Sequence, residues 1–397
     1  MLVDIHRMLK SETKILITGG GSGGHISVAK ALISTLIEDF DIPSKNITYV
    51  GGDLGMEGER VGNSLEMKSF KDINIEKYFI RAGKLNRRFS PKTISLLLRT
   101  FLGFFDAISI LNKQKPNILI STGGFVSVPV CIAGLLFGKP IYLHEQTASV
   151  GLSNRIVGIF AKKIYIAFKN SSKYFNKKKV IHVGNIVRKE IFLKQKTEYT
   201  NIEILNLVDR NPFLPFVYIS GGSLGSHVLN EKVIGNIEEL LSSYRVLLQT
   251  GDNEIHKDFD KAVQKRNSLP EDLQDRFVIK KYIDEKNIGY VLNSMNLFVG
   301  RSGANTVYEI GVLKKYALFI PIPWVTHNEQ YLNAKVLEDI GSANILEEKY
   351  LESCNLKKEI ERLEEKEKIT KIDSERLEKL FPTNATHSML NDILKSS

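Results

Sequence analysis

One rhythm constrains this chain more than any other feature: a short apolar run, a glycine-rich turn, then an amphipathic stretch, repeated along its length. Lys14-Ile15-Leu16-Ile17-Thr18 runs into Gly19 to Gly24 and then Ile26 to Leu36. Asn46 to Val50 runs into Gly51-Gly52, Ile118 to Ser121 into Gly123-Gly124, Phe216 to Ser220 into Gly221-Gly222, and Leu297 to Val299 into Gly300 and Gly303. Continuous apolar strands that alternate with helices are buried on both faces. The pattern therefore predicts an α/β fold class, with parallel sheets covered by helices. Ligands of such sheets bind at the carboxyl ends of the strands, where these turns lie.

The series restarts once. Ile186 to Pro215 is polar and basic, with Lys189, Lys194, Lys196 and Asn211-Pro212, and a new strand–glycine–helix unit opens at Phe216. A chain of 397 residues has room for two domains of roughly 150–200 residues each. Each is large enough to bury a core without staples. Hydrophobic residues at 43% and charged residues at 25% exclude wholesale disorder and fibrous classes. Two cysteines, Cys131 and Cys354, exclude a disulfide framework and a cysteine-rich metal site, and fit a reducing compartment. The net charge of +10 fits an anionic membrane surface, a nucleic acid or phosphorylated substrates, without choosing among them. Met1 to Lys10 carries Asp4, Arg7 and Lys10 and has no apolar stretch, so no signal peptide is expected. Pro116 to Gly138 is uncharged and long enough to span a bilayer, but Ser121 to Gly124, Ser127 and Pro129 interrupt it, and it reads as strand, turn and helix. Glu347 to Lys379, with Glu and Lys at helical spacing, reads as a solvated helix.

The turns carry the chemistry. Gly19-Gly20-Gly21-Ser22-Gly23-Gly24-His25 follows a strand and opens a helix. Glycines there let backbone N–H groups approach a phosphate or sugar, and the helix start favours negative charge. The run contains G-x-G-x-x-G, so a nicotinamide dinucleotide site competes; its acidic partner belongs about 20 residues on, whereas Asp53 lies further away. Ser220 to Ser226 and Gly300 to Thr306 repeat the same logic in the second half. Glu309, one turn into the last of these helices, has the chemistry to accept two ribose hydroxyls; it is equally a favourable charge on the helix dipole. His25 is either a base facing the ligand or a structural histidine. His144-Glu145-Gln146 is polar for a strand end, and no ligand cluster for a metal stands out. Arg188, at the proposed crossing, offers a cation to a diphosphate.

Taken in order, these motifs resemble one family, the MurG family of peptidoglycan glycosyltransferases. The matching pieces are Gly19 to His25, Ser121 to Pro129, His144-Glu145-Gln146, Gly151-Leu152-Ser153-Asn154, Gly184-Asn185 with Arg188, and Gly221 to Gly225. Gln249-Thr250-Gly251, Arg301 to Glu309 and His327 to Ala334 complete the set, which spans roughly Lys14 to Glu347. The resemblance implies a GT-B fold, two Rossmann-like parallel-sheet domains facing a central cleft. The expected boundaries are 12–187 for an acceptor- and membrane-facing domain, 188–375 for a UDP-sugar-binding domain, and 376–397 for a C-terminal helix returning to the first domain. It implies inverting, metal-independent transfer of N-acetylglucosamine from UDP-N-acetylglucosamine to lipid I, the undecaprenyl-diphosphate-linked N-acetylmuramoyl-pentapeptide, to give lipid II. No cofactor and no nucleic acid are expected. The protein would sit peripherally on the cytoplasmic face of the cell membrane.

Carried over motif by motif, His25 is the candidate base and Glu145 the reserve. Ser22, Gly23 and Gly24 would face the acceptor diphosphate. Arg188 and Ser223 would contact the UDP phosphates and Ile283 backbone the uracil. Ala304, Asn305 and Thr306 would hold the diphosphate, Glu309 the ribose and Gln330 the sugar hydroxyls. Thr147, Asn154, Val307 and Tyr308 complete the substrate-binding set. The chain departs from the family at Thr147, where an Asn contacting the sugar is usual, and at Val28 and Ile186, where prolines are usual. Glu329 stands where some relatives have Gln.

A membrane surface is predicted from local chemistry. Lys84-Leu85-Asn86-Arg87-Arg88-Phe89 precedes Leu96 to Leu98, Phe101-Leu102 and Phe104-Phe105. Apolar surface with basic flanks binds an anionic leaflet; a core helix with snorkelling flanks has the same composition. The rival functions are another GT-B transferase with a different lipid acceptor, a nicotinamide oxidoreductase, and a non-catalytic membrane-surface protein.

Overall fold

The computed structural model describes residues 12–54, 62, 64–83, 91–253, 255–324, 328–369 and 373–396, without the side chains of 91–97. Two compact units emerge: the described residues up to Arg188 together with those from Pro382 onward, and Lys189–Phe381.

The first unit alternates strand and helix. In order these are β1 (Ile15–Gly19), α1 (Gly23–Glu38), β2 (Ile47–Gly52), α2 (Leu65–Ser69), β3 (Glu76–Ile80), α3 (Pro91–Gln114), β4 (Ile118–Gly123), α4 (Ser127–Leu136), β5 (Ile141–Glu145), α5 (Leu152–Phe160), β6 (Lys163–Ile166) and β7 (Val180–His182). The strands form one sheet in the order β3-β2-β1-β4-β5-β6-β7, and every pair in it is parallel. Successive strand residues point to opposite faces. Ile15 and Ile17 accordingly join a core under α1, and Leu16 joins a core under α4 and α5. α1 buries Ile26, Ala29, Leu32, Ile33 and Leu36, an apolar stripe at helical spacing. The uncharged run from Pro116 is thus β4, a turn and α4, and no described helix is long and apolar enough to cross a membrane.

The second unit repeats the plan. It contains α6 (Ile202–Asp209), β8 (Phe216–Ser220), α7 (His227–Gly235), β9 (Arg245–Gln249), α8 (Asp258–Asn267), β10 (Phe277–Lys280), α9 (Glu285–Ser294), β11 (Leu297–Gly300), α10 (Ala304–Val312), β12 (Tyr316–Phe319), α11 (Glu329–Glu338), β13 (Ala343–Ile345), α12 (Leu356–Ile369) and α13 (Ser374–Leu380). Its parallel sheet runs β10-β9-β8-β11-β12-β13. The charged tail is not fully solvated: Leu356, Ile360 and Leu363 of α12 close the core of this unit.

A last helix, α14 (Ala385–Lys395), belongs to the first unit. Ala385, Met389, Leu390 and Ile393 enter the core beneath α1. Asp392 pins it, 2.8 Å from Lys163 Nζ and 2.7 Å from the Tyr165 hydroxyl. Residues 376–381 stay with the second unit because Phe381 packs on Tyr308, ring centroids 5.0 Å apart, and Pro382 then starts the return.

In both sheets the winding reverses between two neighbouring strands, β1 and β4 in one and β8 and β11 in the other. Crevices at such reversals, beyond the carboxyl ends of the strands, are where open parallel sheets bind ligands. Four of the five glycine turns singled out from the sequence leave these strands; the fifth, Gly51-Gly52, ends β2.

Candidate functional site

In the first unit, α1 starts at Ser22, whose hydroxyl accepts the N–H of His25 at 3.5 Å. No acidic side chain lies in the first turn of α1, so its amides and dipole favour an anion. Gly21 N–H is already spent, donating to Glu66 Oε1 at 2.5 Å. Glu66 is fully buried on α2, and the sequence reading did not anticipate it.

His25 stands in this first turn, half-buried against the turn after β4. Its Nδ1 lies 2.7 Å from the Thr122 carbonyl oxygen and 2.8 Å from the Gln146 side-chain amide. Nε2 has no partner among the described residues. Burial holds the imidazole down to about 4, against a weaker upward pull from the Thr122 carbonyl, so it is neutral at physiological pH. Room for the ring is made by glycine. At Gly123 an added Cβ would lie 2.8 Å from His25 Cε1 and 2.7 Å from Asn154 Nδ2, and the backbone there has φ of +100°.

Glu145 ends β5 and is buried behind the histidine. Its Oε1 accepts both the backbone N–H and the hydroxyl of Thr147 at 2.7 Å, and Oε2 accepts Asn154 Nδ2 at 2.8 Å. Burial raises its proton affinity and outweighs these bonds. Both carboxylate oxygens are therefore committed to shaping the loop. Thr147 and Asn154 are themselves buried and turned toward Glu145. His144, also buried and held down to about 4 by burial, has its Nε2 at 3.2 Å from the Gly184 carbonyl oxygen, at the turn leading to Arg188.

In the second unit, β11 leads through Arg301, Ser302 and Gly303 into α10. Gly303 occupies the N-cap, and no cap side chain serves the first amides of α10, which begins Ala304-Asn305-Thr306. Val307 N–H is used within the helix, on Gly303 O, and the side chains of Val307 and Tyr308 are in the core. Glu309 is buried one turn on. Arg301 does not point outward: its guanidinium donates to the Ile320 carbonyl at 2.9 Å and the Ser226 hydroxyl at 2.6 Å, and pairs with Glu348. It ties the turn after β11 to the turn after β8. Ser223 is exposed on the latter turn, and Ile283 is half-buried on the segment after β10. Gln330, on α11, accepts the Ile322 N–H at 3.1 Å through Oε1, leaving its NH₂ directed elsewhere. His327, of the matching motif, and the basic cluster Lys84, Arg87 and Arg88 lie outside the described residues.

Arg188 is assigned to the first unit and Ser223 to the second. Among the described residues, no group of three or more His, Cys, Asp or Glu side chains is placed to hold a metal ion.

The class follows from both halves. Residues 15–166 match the glycosyltransferase family 28 N-terminal domain and residues 216–386 the family 28 C-terminal domain, so the chain belongs to glycosyltransferase family 28 and has the GT-B type of fold. The chain is 32% identical to a Clostridium novyi UDP-N-acetylglucosamine--N-acetylmuramyl-(pentapeptide) pyrophosphoryl-undecaprenol N-acetylglucosamine transferase, over 91% of this chain and 93% of the relative. A Bacillus cereus protein of the same name is 33% identical over 89% and 91%. Within family 28 the chain belongs to the family of these transferases, the MurG family. Among solved structures, Acinetobacter baumannii MurG superposes with a TM-score of 0.67 at 21% identity, covering 97% of this chain and all of that one. A UDP-GlcNAc 2-epimerase from Neisseria meningitidis shares the fold, with a TM-score of 0.61 at 13% identity over 96% of this chain and 100% of that one. The fold alone therefore leaves the reaction open, and the site must choose it.

Proposed function

We propose that this chain transfers N-acetylglucosamine from UDP-N-acetylglucosamine to lipid I, forming lipid II for peptidoglycan synthesis. The observation that carries the reading is the neutral imidazole of His25, with Nε2 unpartnered among the described residues, in the first turn of a helix that opens on a glycine turn. That is the placement a base needs beside the diphosphate of a lipid-linked acceptor. The names of the relatives supply the substrates.

In this reading the amides of Ser22, Gly23 and Gly24 face the acceptor diphosphate. His25 Nε2 takes the proton of the muramoyl 4-hydroxyl as its oxygen attacks the anomeric carbon. The bond from that carbon to UDP breaks on the opposite face, inverting its configuration, and UDP leaves with the electron pair. The amides of Ala304, Asn305 and Thr306 and the cation of Arg188, with Ser223, stabilise the departing diphosphate. Glu309 holds the ribose, Ile283 backbone the uracil, and Gln330 NH₂ a sugar hydroxyl. Glu145, Thr147 and Asn154 shape the loop behind the base.

Membrane attachment completes the proposal. Leu98, Phe101, Leu102 and Phe105 are all exposed on α3, at 59%, 59%, 41% and 50%, and share one face at helical spacing. We assign this face to peripheral binding of the anionic cytoplasmic leaflet, where the acceptor's polyprenyl chain resides.

The test is transfer of labelled sugar from UDP-N-acetylglucosamine to a lipid I analogue in the presence of EDTA. A β-linked disaccharide product is expected. No transfer, with UDP still bound, would move the assignment to a different lipid acceptor. Glu309→Ala is expected to weaken UDP-N-acetylglucosamine binding by about 10- to 100-fold in calorimetry, the range for losing hydrogen bonds to a charged group.

A further inference from the structure

We propose that Gln146 is a positioning residue that presents its side-chain carbonyl oxygen to His25 Nδ1–H, fixing the tautomer in which Nε2 carries the lone pair. The inference rests on His25 acting as the base, and it concerns a residue to which that reading gives no role.

Two groups meet one nitrogen. The Thr122 carbonyl oxygen is 2.7 Å from His25 Nδ1 and the Gln146 amide nitrogen 2.8 Å from it. The carbonyl belongs to the backbone and can only accept. At that distance Nδ1 must carry a hydrogen, since a lone pair there would face the carbonyl's own. With Nδ1 protonated, an amide NH₂ at 2.8 Å would set hydrogen against hydrogen. The amide is the group that can adapt: its two ends have the same shape, and a half turn about the last side-chain bond exchanges oxygen for nitrogen. The side chain is only 3% exposed, so the end of the amide turned to Nδ1 has the imidazole and not water as its partner. After the half turn the amide oxygen shares the Nδ1 hydrogen with Thr122.

The ring packs closely against backbone that only glycine leaves open. Added Cβ atoms at Gly123 and Gly124 would lie 2.8 and 3.1 Å from its Cε1 and Cδ2. Gly24 faces Gln146 in the same way, an added Cβ lying 3.1 Å from the amide nitrogen. The titratable groups on the packed elements are Glu66 beside Gly21, and His144 and Glu145 on β5. None of the hydrogen bonds to Nδ1 comes from them, so the proton's address is set by two neutral oxygens. With Nδ1 the donor, the atom left with a lone pair is Nε2, the one without a partner among the described residues.

The experiment is nitrogen NMR of the substrate-free, full-length protein labelled at histidine, with the His25 signals identified by their loss in His25→Gln. The expected result is a neutral ring protonated at Nδ1 across physiological pH. In Gln146→Glu the carboxylate keeps the acceptor and adds charge, which should raise the midpoint of His25 protonation by about 1 pH unit or more. Gln146→Leu should lower kcat by roughly tenfold or more, a fraction of what general-base catalysis contributes, and leave KM for UDP-N-acetylglucosamine unchanged. A wild-type ring protonated at Nε2 would overturn the proposal. So would an unmoved midpoint in a folded Gln146→Glu protein. The spectra need no substrate, so they stand apart from the acceptor's identity; failure of sugar transfer by the wild type would count against that assignment alone.

Discussion

At the scale of single residues, the first site is built by subtraction. Gly123 is where His25 and Asn154 come together, and its φ of +100° adds backbone strain to any side chain placed there. Gly123→Ala is expected to cost about 1–3 kcal/mol in chemical denaturation and to lower turnover more than it lowers UDP affinity. Equal loss of both would show that the turn serves overall folding instead. His25 also leaves a signature in stability. Its folded value, about 4, lies below the ordinary 6.5, so the unfolded chain takes up the proton first as pH falls. Its contribution is complete above about 6.5 and is lost progressively down to about 4. His144 acts in the same direction over the same window, whereas Glu145, its proton affinity raised by burial, acts in the opposite one. The difference between wild type and His25→Gln isolates one group: the variant should lose less stability between pH 7 and 5. Identical losses would remove the buried neutral ring from the description.

At the scale of elements, helix ends decide what is free to bind. α1 and α10, the two helices assigned to anions, both start without an acidic first turn, a trait they share with α4, α5 and α7. The opposite device appears at the end of α6. There Arg245, 6% exposed, donates to the carbonyls of Leu207 and Leu214 at 2.9 Å and Arg210 at 3.1 Å, and also to that of Val208. Arg245→Met should destabilise the second unit by about 2–3 kcal/mol, since it orphans several carbonyls that only a charged donor served. For α3, Phe101→Glu should abolish flotation with anionic vesicles while sugar transfer to a water-soluble acceptor persists; retained flotation would place the lipid contact elsewhere. The strands and helix starts were readable because apolar runs and glycine turns are local signals. The partners were not. Glu66 reaches Gly21 N–H, and Gln146 reaches His25, across long stretches of chain. No spacing rule links residues so far apart, and Glu66 in particular reads in sequence as an ordinary charge at a helix start.

At the scale of the whole molecule, the two units share one blueprint, with the sheet order reversing at β1/β4 in one and at β8/β11 in the other. The restart at Phe216 was visible in the sequence as a second strand–glycine–helix unit. The route back was less visible. The apolar stripe of α14 does not say which core it enters, and Met389, Leu390 and Ile393 are completely buried in the first unit. Leu390→Ala should cost about 2–5 kcal/mol, the range for emptying a filled core position, and the loss should appear in the first unit and leave the second unit's unfolding unchanged. On a ribosome this topology imposes an order. Chains are made from the N-terminus at about 5–20 residues per second, and the helix that seals the first core is made only after the whole second unit. The second unit, complete at Phe381, can close as soon as it is synthesised, whereas the first waits with its flank beneath α1 uncovered. The earlier-made unit is therefore the later to mature, and until α14 emerges its exposed apolar face is a natural client for a chaperone.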